Sequence, residues 1–184
     1  MIIFTFQDYE KIKDNETDLK DFLTSAINEH ISSTAYKNAV IGERYYQLDT
    51  DINRYQKFVY NVLGQKQPDL WSANHKMPSN WHFFFTVQAV LFLLGNGVSF
   101  KERSTKDKLG KNFDQQMIKL ATIAKNESCG YGFFNLDHIE IFKLTEFKAL
   151  PDETTSAIRA GIRFWQIEGK KTQHIILYDE DGYT

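Results

Sequence analysis

Cys129 and His138 are the two side chains best suited by type to covalent chemistry. A thiol becomes a useful nucleophile when a base stands within hydrogen-bond reach and a third group orients that base. Asp137 has the right type for the third role, but it adjoins His138, and neighbours on a strand point to opposite faces. A cysteine-dependent hydrolase using Cys129 is therefore an alternative reading only. A small thiol packed at a helix–strand junction is the plainer one. Other candidates thin out in the same way. Asp49 and Asp51 flank Thr50, and a calcium-type loop at that spacing needs a third and a fourth oxygen ligand around a glycine, which this stretch lacks. Asp49-Thr50-Asp51 reads instead as a turn and a cap ahead of Ile52. The five histidines are scattered without metal-ligand spacing, and His30 reads as a boundary histidine with one nitrogen satisfied. A single cysteine excludes an internal disulfide and a Cys-based zinc site. The chain carries no G-x-S-x-G, G-x-x-x-x-G-K-[ST], H-E-x-x-H or G-x-G-x-x-G pattern. Gly95-Asn96-Gly97 follows a helical pattern rather than a strand, which makes it a helix terminus and not a phosphate cradle. The sequence assigns no catalytic, cofactor-binding or metal-ligating residue, and it reads as a non-enzyme.

The elements that would position such residues point to structure rather than catalysis. The 184 residues suit one domain, 1–184, and a net charge of −2 leaves no global basic field to hold nucleic acid. Fifteen Phe, nine Tyr and three Trp can fill a core or an extensive interface. The start lacks the basic opening and long apolar centre of a signal peptide, so cytosolic residence is the default expectation. The most apolar stretch is 77–100. It predicts a helix over residues 81–94, capped by Ser79 or Asn80 and closed at Gly95-Asn96-Gly97, where a left-handed cap needs a residue without a Cβ penalty. Only His82, Thr86 and Gln88 interrupt it. It falls short of the ~20 residues a spanning helix needs, so a membrane-associated module inserting 81–94 is a second alternative, and no membrane partner is assigned. A helix this apolar must be covered on most of its circumference, by the rest of the chain or by a neighbouring subunit.

Ahead of it, Ile2, Ile3, Phe4 and Phe6 form an apolar arm, a strand or a strap. Residues 16–31 are an amphipathic helix with Leu19, Phe22, Leu23, Ala26, Ile27, His30 and Ile31 on one face. Residues 36–48 read as helical, with Gly42 as a weak point. Residues 52–63 carry Ile52, Tyr55, Phe58, Val59, Val62 and Leu63 at helical spacing up to Gly64. Residues 65–76 read as a loop with an exposed Trp71. The basic cluster at 101–111 (Lys101, Arg103, Lys106, Lys108 and Lys111) has no interleaved aromatics to stack on bases and reads as a solvated helix start or loop. Residues 112–126 are another amphipathic helix. From Cys129 the period changes to two. Strands are predicted through 130–136 and 139–144, over 157–168, and over 172–178, with turns at Pro151-Asp152-Glu153, Gly169-Lys170-Lys171 and 179–182. Gly161 marks a bulge or a close approach. The expectation is α+β: an N-terminal helical layer (1–128) around a central apolar helix, followed by an antiparallel β-rich segment (129–184).

The order of these elements carries a resemblance. An apolar helix running into L-L-G-N-G-V-S-F (Val90 to Val98) precedes a helix ending in A-x-x-A-K-N-E-S-C-G-Y-G-F (Ala121 to Phe133). I-R-F-W (Ile162 to Trp165) and I-L-Y-D-E-D-G-Y (Ile176 to Tyr183) follow, and Tyr45, Tyr46 and Ile52 fit the opening. This set resembles the N-terminal part of portal proteins of tailed bacteriophages of the long non-contractile-tail type. The resemblance covers nearly the whole chain but only the beginning of a portal, most of its peripheral wing, so the chain is expected to be truncated at its C-terminus. It implies a structural component of the virion, at the capsid portal vertex, found in the host bacterial cytoplasm during assembly or as a prophage product. It implies self-association into a ring through which DNA is packaged and ejected without sequence-specific binding. The implied partners are a terminase, scaffolding or capsid proteins and a head–tail adaptor, and no cofactor is implied because a separate ATPase drives translocation.

Overall fold

The computed structural model describes residues 4–166, 173–179 and 182–183. The predicted turn at 169–171, and Ile2 and Ile3 of the N-terminal arm, lie outside the described residues. Within them the chain is α+β, with helices α1 (Phe6–Ile12), α2 (Glu16–Ser32), α3 (Thr34–Tyr46), α4 (Trp81–Leu94), α5 (Arg103–Lys108) and α6 (Phe113–Glu127). The strands are β1 (Phe58–Tyr60), β2 (Lys66–Pro68), β3 (Gly130–Asn135), β4 (His138–Lys143), β5 (Phe147–Pro151), β6 (Ile158–Gln166), β7 (Gln173–Asp179) and β8 (Gly182–Tyr183). All pairings are antiparallel: β1 with β2, β3 with β4, and a four-stranded sheet in the order β5-β6-β7-β8.

The four-stranded sheet is buried on both faces, and the period-two alternation of its strands sorts the residues. Leu150, Ala160, Ile162, Phe164 and Leu177 pack with Phe6, Tyr9, Ala26 and Ile27 of α1 and α2. On the opposite face Phe147 and Tyr178 meet Phe142 of the β3–β4 hairpin, with Tyr131, Phe133, Ala149 and Ile176 around them. Phe142 and Phe147 stack at 5.1 Å between ring centroids. Gly161 lies on this second face, where a Cβ would stand 2.1 Å from Phe147 Cζ. The close approach expected there is the correct alternative, and the register irregularity falls at Leu150/Pro151 instead. The far face of the hairpin carries α6, and Gly130 lets that helix in, since a Cβ there would meet Leu120 Cδ1 at 3.0 Å.

Polar contacts stitch the layers. Thr5 and Asp8 form a capping box at the start of α1. Gln7 Nε2 donates to Asp152 Oδ2 at 2.8 Å, and Tyr9 Oη donates to Asp179 Oδ2 at 2.9 Å. Asp152 also accepts the Thr154 and Thr155 backbone N–H groups of the β5–β6 turn, and these bonds, led by that from Thr155, hold its carboxyl at about 2. The short turn between β4 and β5 is gripped from three helices. His30 Nε2 donates to the Leu144 carbonyl at 2.8 Å. Glu127 Oε2 accepts from Thr145 N at 3.1 Å, and Lys143 Nζ reaches Glu43 at 2.9 Å. The boundary reading of His30 is thus correct in its satisfied nitrogen, with the ring itself buried.

Four sequence expectations need correction. Residues 52–63 do not form a helix: a 3-10 turn (Asp51–Arg54) leads into the β1–β2 hairpin, whose turn uses Gly64 at φ +73°. Asn61 Oδ1 accepts the Leu63 and Gln65 backbone N–H groups there, a local side-chain solution that competes with helix. The stretch 65–76 is not wholly a loop, since Lys66–Pro68 form β2; the end of α4 does fall within Gly95-Asn96-Gly97, where Gly95 is right-handed at φ −60° and Gly97 supplies the left-handed residue at φ +74°. Strand β5 was not anticipated between Leu144 and the turn at Asp152. The largest correction concerns α4, which is not the central packing helix. Only Thr86 and Val90 of its fourteen residues are buried; the core lies between α1–α2, the sheet and the hairpin.

Candidate interaction surface

The fold separates the residues that could have done chemistry. Cys129 precedes Gly130, which pairs with Lys143, whereas His138 pairs with Asn135 at the other end of the same hairpin. Five strand residues separate the two levels, about 16 Å at ~3.3 Å per residue, so the imidazole cannot take a proton from the thiol. Cys129 is half-buried and its Sγ points to the Gly130 carbonyl. Burial, with the Cys129 thiol beside it, pushes the Tyr131 phenol above its ordinary range. Asp137 does touch His138: its Oδ1 pairs with Nδ1 across the β3–β4 turn, against the expectation that it would face away. The turn has no strand alternation to keep them apart. The cleft beside them, about 210 Å³, is lined by Leu109, Gly110, Lys111, Asn112, Phe113, Gln116 and Ile139, with no hydroxyl or thiol to activate.

Asp49 and Asp51 are occupied by cations of the protein itself. Arg54 donates to Asp49 at 2.6 Å, Arg44 bridges both carboxylates, and Tyr45 Oη donates to Asp51 at 2.7 Å. The bond from Arg54 leads in holding the Asp49 carboxyl below its usual range. Among the described residues no cluster of His, Cys, Asp and Glu could hold a metal ion. In the basic stretch, Lys106 pairs with Asp114 at 2.5 Å and donates to the Val98 carbonyl. That tie neutralises Lys106, which with Lys101 lines a cleft of about 460 Å³.

What the structure does assemble is bare apolar surface. The inner face of α4 is small. Thr86 and Val90 are buried, Ala89 is half-buried, and Thr86 Oγ1 donates to Asn126 Oδ1 of α6 at 3.2 Å. The outer face is large. Trp81, Phe84, Phe85, Leu91 and Phe92 lie along one side of the helix, with the exposed Gln88 between Phe85 and Leu91 and with Phe92 89% exposed. Trp81 stacks on Phe85 and meets Phe84 edge-on, while the neighbouring Phe83 packs on Tyr46 of α3. At 14 residues the helix is about 21 Å long, short of the ~30 Å hydrocarbon core. Among the described residues no helix is long and apolar enough to cross a membrane.

A second bare surface lies on the arm built by β1, β2 and the segment leading to α4. Every residue of both strands is exposed. Val62, Leu63, Leu70 and Trp71 are almost entirely in solvent. Several of the arm's polar groups are paired within the arm. Lys57 lies against Asp69, and Asp69 accepts from the Ser72 hydroxyl and the Ser72 and Trp71 N–H groups. Those bonds, led by the hydroxyl, hold its carboxyl at about 2. The exposed Trp71 was legible in the sequence; the hairpin was not, because its apolar residues happen to recur at helical spacing.

No protein-family model matches this sequence. Among curated proteins the chain is similar to the portal protein of Bacillus phage SPP1, at 24% identity over 154 residues. The matched region is 76% of this chain and 31% of that protein, so the chain spans under a third of the relative it matches. The similarity supports a portal-like relationship at most.

Proposed function

We propose that this chain is a wing-like domain of a portal assembly: a structural unit that joins copies of itself into a ring at the capsid vertex, through which DNA enters and leaves. The observation that carries the reading is the aromatic stripe of α4, an interface-sized apolar face left bare on a chain whose distant relative is a portal protein. The charge pattern is compatible with passage of DNA: a continuous basic groove would grip phosphates in a salt-dependent way, and here the cationic cluster is broken by the Lys106–Asp114 pair. By the same resemblance its partners are a terminase, scaffolding or capsid proteins and a head–tail adaptor. The test is location. Particles are purified from the bacterial culture that makes the chain and labelled with a specific antibody. Label at a single vertex is expected; its absence from every particle, with the chain left in the soluble fraction, refutes the proposal.

A further inference from the structure

We infer that the β1–β2 arm of one copy docks on the aromatic face of α4 of the next copy. The inference rests on the self-association proposed above and names its contact. Three observations converge on this occupant.

The first is area. At roughly 200 Å² per large side chain, the exposed fractions of Trp81, Phe84, Phe85, Leu91 and Phe92 leave about 600 Å² of this side of α4 bare. The arm presents a similar area through Tyr60, Val62, Leu63, Leu70 and Trp71. Each matches the ~800 Å² that one partner gives to a standard interface.

The second is polarity. From Tyr60 to Gly64 the tip carries no charge, and Asn61 already accepts the Leu63 and Gln65 N–H groups and donates to Gln65 Oε1. The apolar tip at Val62 and Leu63 can therefore enter a dry contact, with the Tyr60 hydroxyl left at its rim. The α4 face is as free of charge, since no Asp, Glu, Lys or Arg occurs between Trp81 and Leu94.

The third is the arm's own stability. A two-stranded hairpin exposed on both faces is marginal in water and needs a surface to pack on. The described residues of this chain provide none, because both strands are exposed throughout.

Arm-on-helix contact is heterologous: the two surfaces differ, and every copy carries both. Such contacts propagate head to tail and close into a ring when the rotation permits. An α4-on-α4 contact would instead be isologous and would stop at a dimer.

Mixed cross-linking separates these arrangements. In a Cys129→Ser background, Val62→Cys is placed in one population and Phe92→Cys in a second, which also carries a size tag. Both positions are almost fully exposed, so neither change disturbs the fold. A short bis-maleimide is applied to each population and to the mixture, and self-association is followed by light scattering. The expected result is a cross-link in the mixture only, between one tagged and one untagged chain, and loss of association in Val62→Asp as well as Phe92→Asp. Cross-linking of Phe92→Cys to itself, with Val62→Asp still associating, overturns the arm contact while leaving self-association intact. A chain that stays monomeric and uncross-linked overturns both.

Discussion

Gly42→Ala sets two effects of known size against each other. Gly42 lies inside α3, nine residues into a thirteen-residue helix. On propensity alone, alanine there should stabilise the protein by about 1 kcal/mol. The structure predicts the opposite sign. A Cβ at Gly42 would stand 2.0 Å from the Asn126 backbone oxygen and 3.1 Å from its carbonyl carbon. That neighbour is main chain in the last turn of α6 and cannot swing aside as a side-chain tip would. Restoring a tolerable separation moves α3 and α6 apart by about 1 Å, which disturbs a close-packed crossing. The same shift strains the Thr86–Asn126 bond to α4 and the Glu43–Lys143 pair one residue along. Overpacking of this kind costs ~1–3 kcal/mol and more when backbone must move. Subtracting the propensity gain leaves a net loss of up to about 2 kcal/mol, or up to roughly 8 °C in Tm for a chain of this length. Urea unfolding monitored by circular dichroism reads the difference. A peptide of residues 34–46 with the same change should become more helical, which isolates the propensity term. A full-length variant as stable as the parent, or more so, would show that the α3–α6 crossing is not the tight contact described.

Three further outcomes follow from the same contacts. Gly161→Ala drives a Cβ into the Phe147 ring, and a loss of ~1–3 kcal/mol is expected; in a double-mutant cycle Phe147→Leu should absorb most of it, whereas additive losses would place the strain elsewhere. Burial lowers the pKa of His30 below its ordinary 6.5, so its contribution is complete above 6.5 and lost as pH falls through the folded-state value. His30→Leu should cost ~1–3 kcal/mol at pH 8, by stranding the Leu144 carbonyl, and should flatten the stability loss below pH 6.5. Burial raises the pKa of Glu127 above 4.5, which gives the reverse sign: its contribution is complete below 4.5 and lost as pH rises through the folded-state value. Glu127→Gln should therefore hold or raise stability at pH 8 relative to pH 5, and a variant weaker at pH 8 by the same margin as at pH 5 would contradict that sign.

Elements held by local chemistry were legible in the sequence. The α2 stripe of Ala26 and Ile27, the Asn80 cap and the alternation in β6 each depend on residues close in sequence, and each was read correctly. Contacts that depend on distant residues were not. Gly42 looked like a flaw in a helix because only the α6 backbone explains it. The β1–β2 hairpin was misread because Tyr55, Phe58, Val59 and Val62 recur at helical spacing, and periodicity reports a shared face only where something buries that face. Strand β5 is five residues long and its Phe147 is buried by rings from β4 and β7, so its own pattern was faint. For the candidate site, the sequence identified the apolar helix and the need for cover, and Cys129 and His138 as the best catalytic types. It could not show that one hairpin holds those two at opposite ends.

The α4 helix shows why apolarity alone does not locate a core. Packing selects by shape as well as by hydrophobicity. The α4–α6 contact runs along Thr86 and Val90, where small side chains let two helices approach, and a Thr–Asn bond replaces apolar contact at its centre. The large rings are too bulky for that crossing and face outward. The arrangement inverts an ordinary surface helix, in which the polar threonine would be outside and Phe92 inside. An isolated soluble chain rarely leaves a contiguous apolar patch beyond about 300–600 Å², and the stripe, at about 600 Å², stands at the top of that range. The helix is therefore built with two sets of partners: α6 and, through Phe83 on Tyr46, α3 of its own chain on one side, and on the broad face a surface that must come from elsewhere. The arm supplies apolar area of the right size, is itself uncovered, and is carried by every copy. A contact that satisfies both deficits at once, repeated from copy to copy, accounts for the aromatic excess of the sequence without a catalytic site.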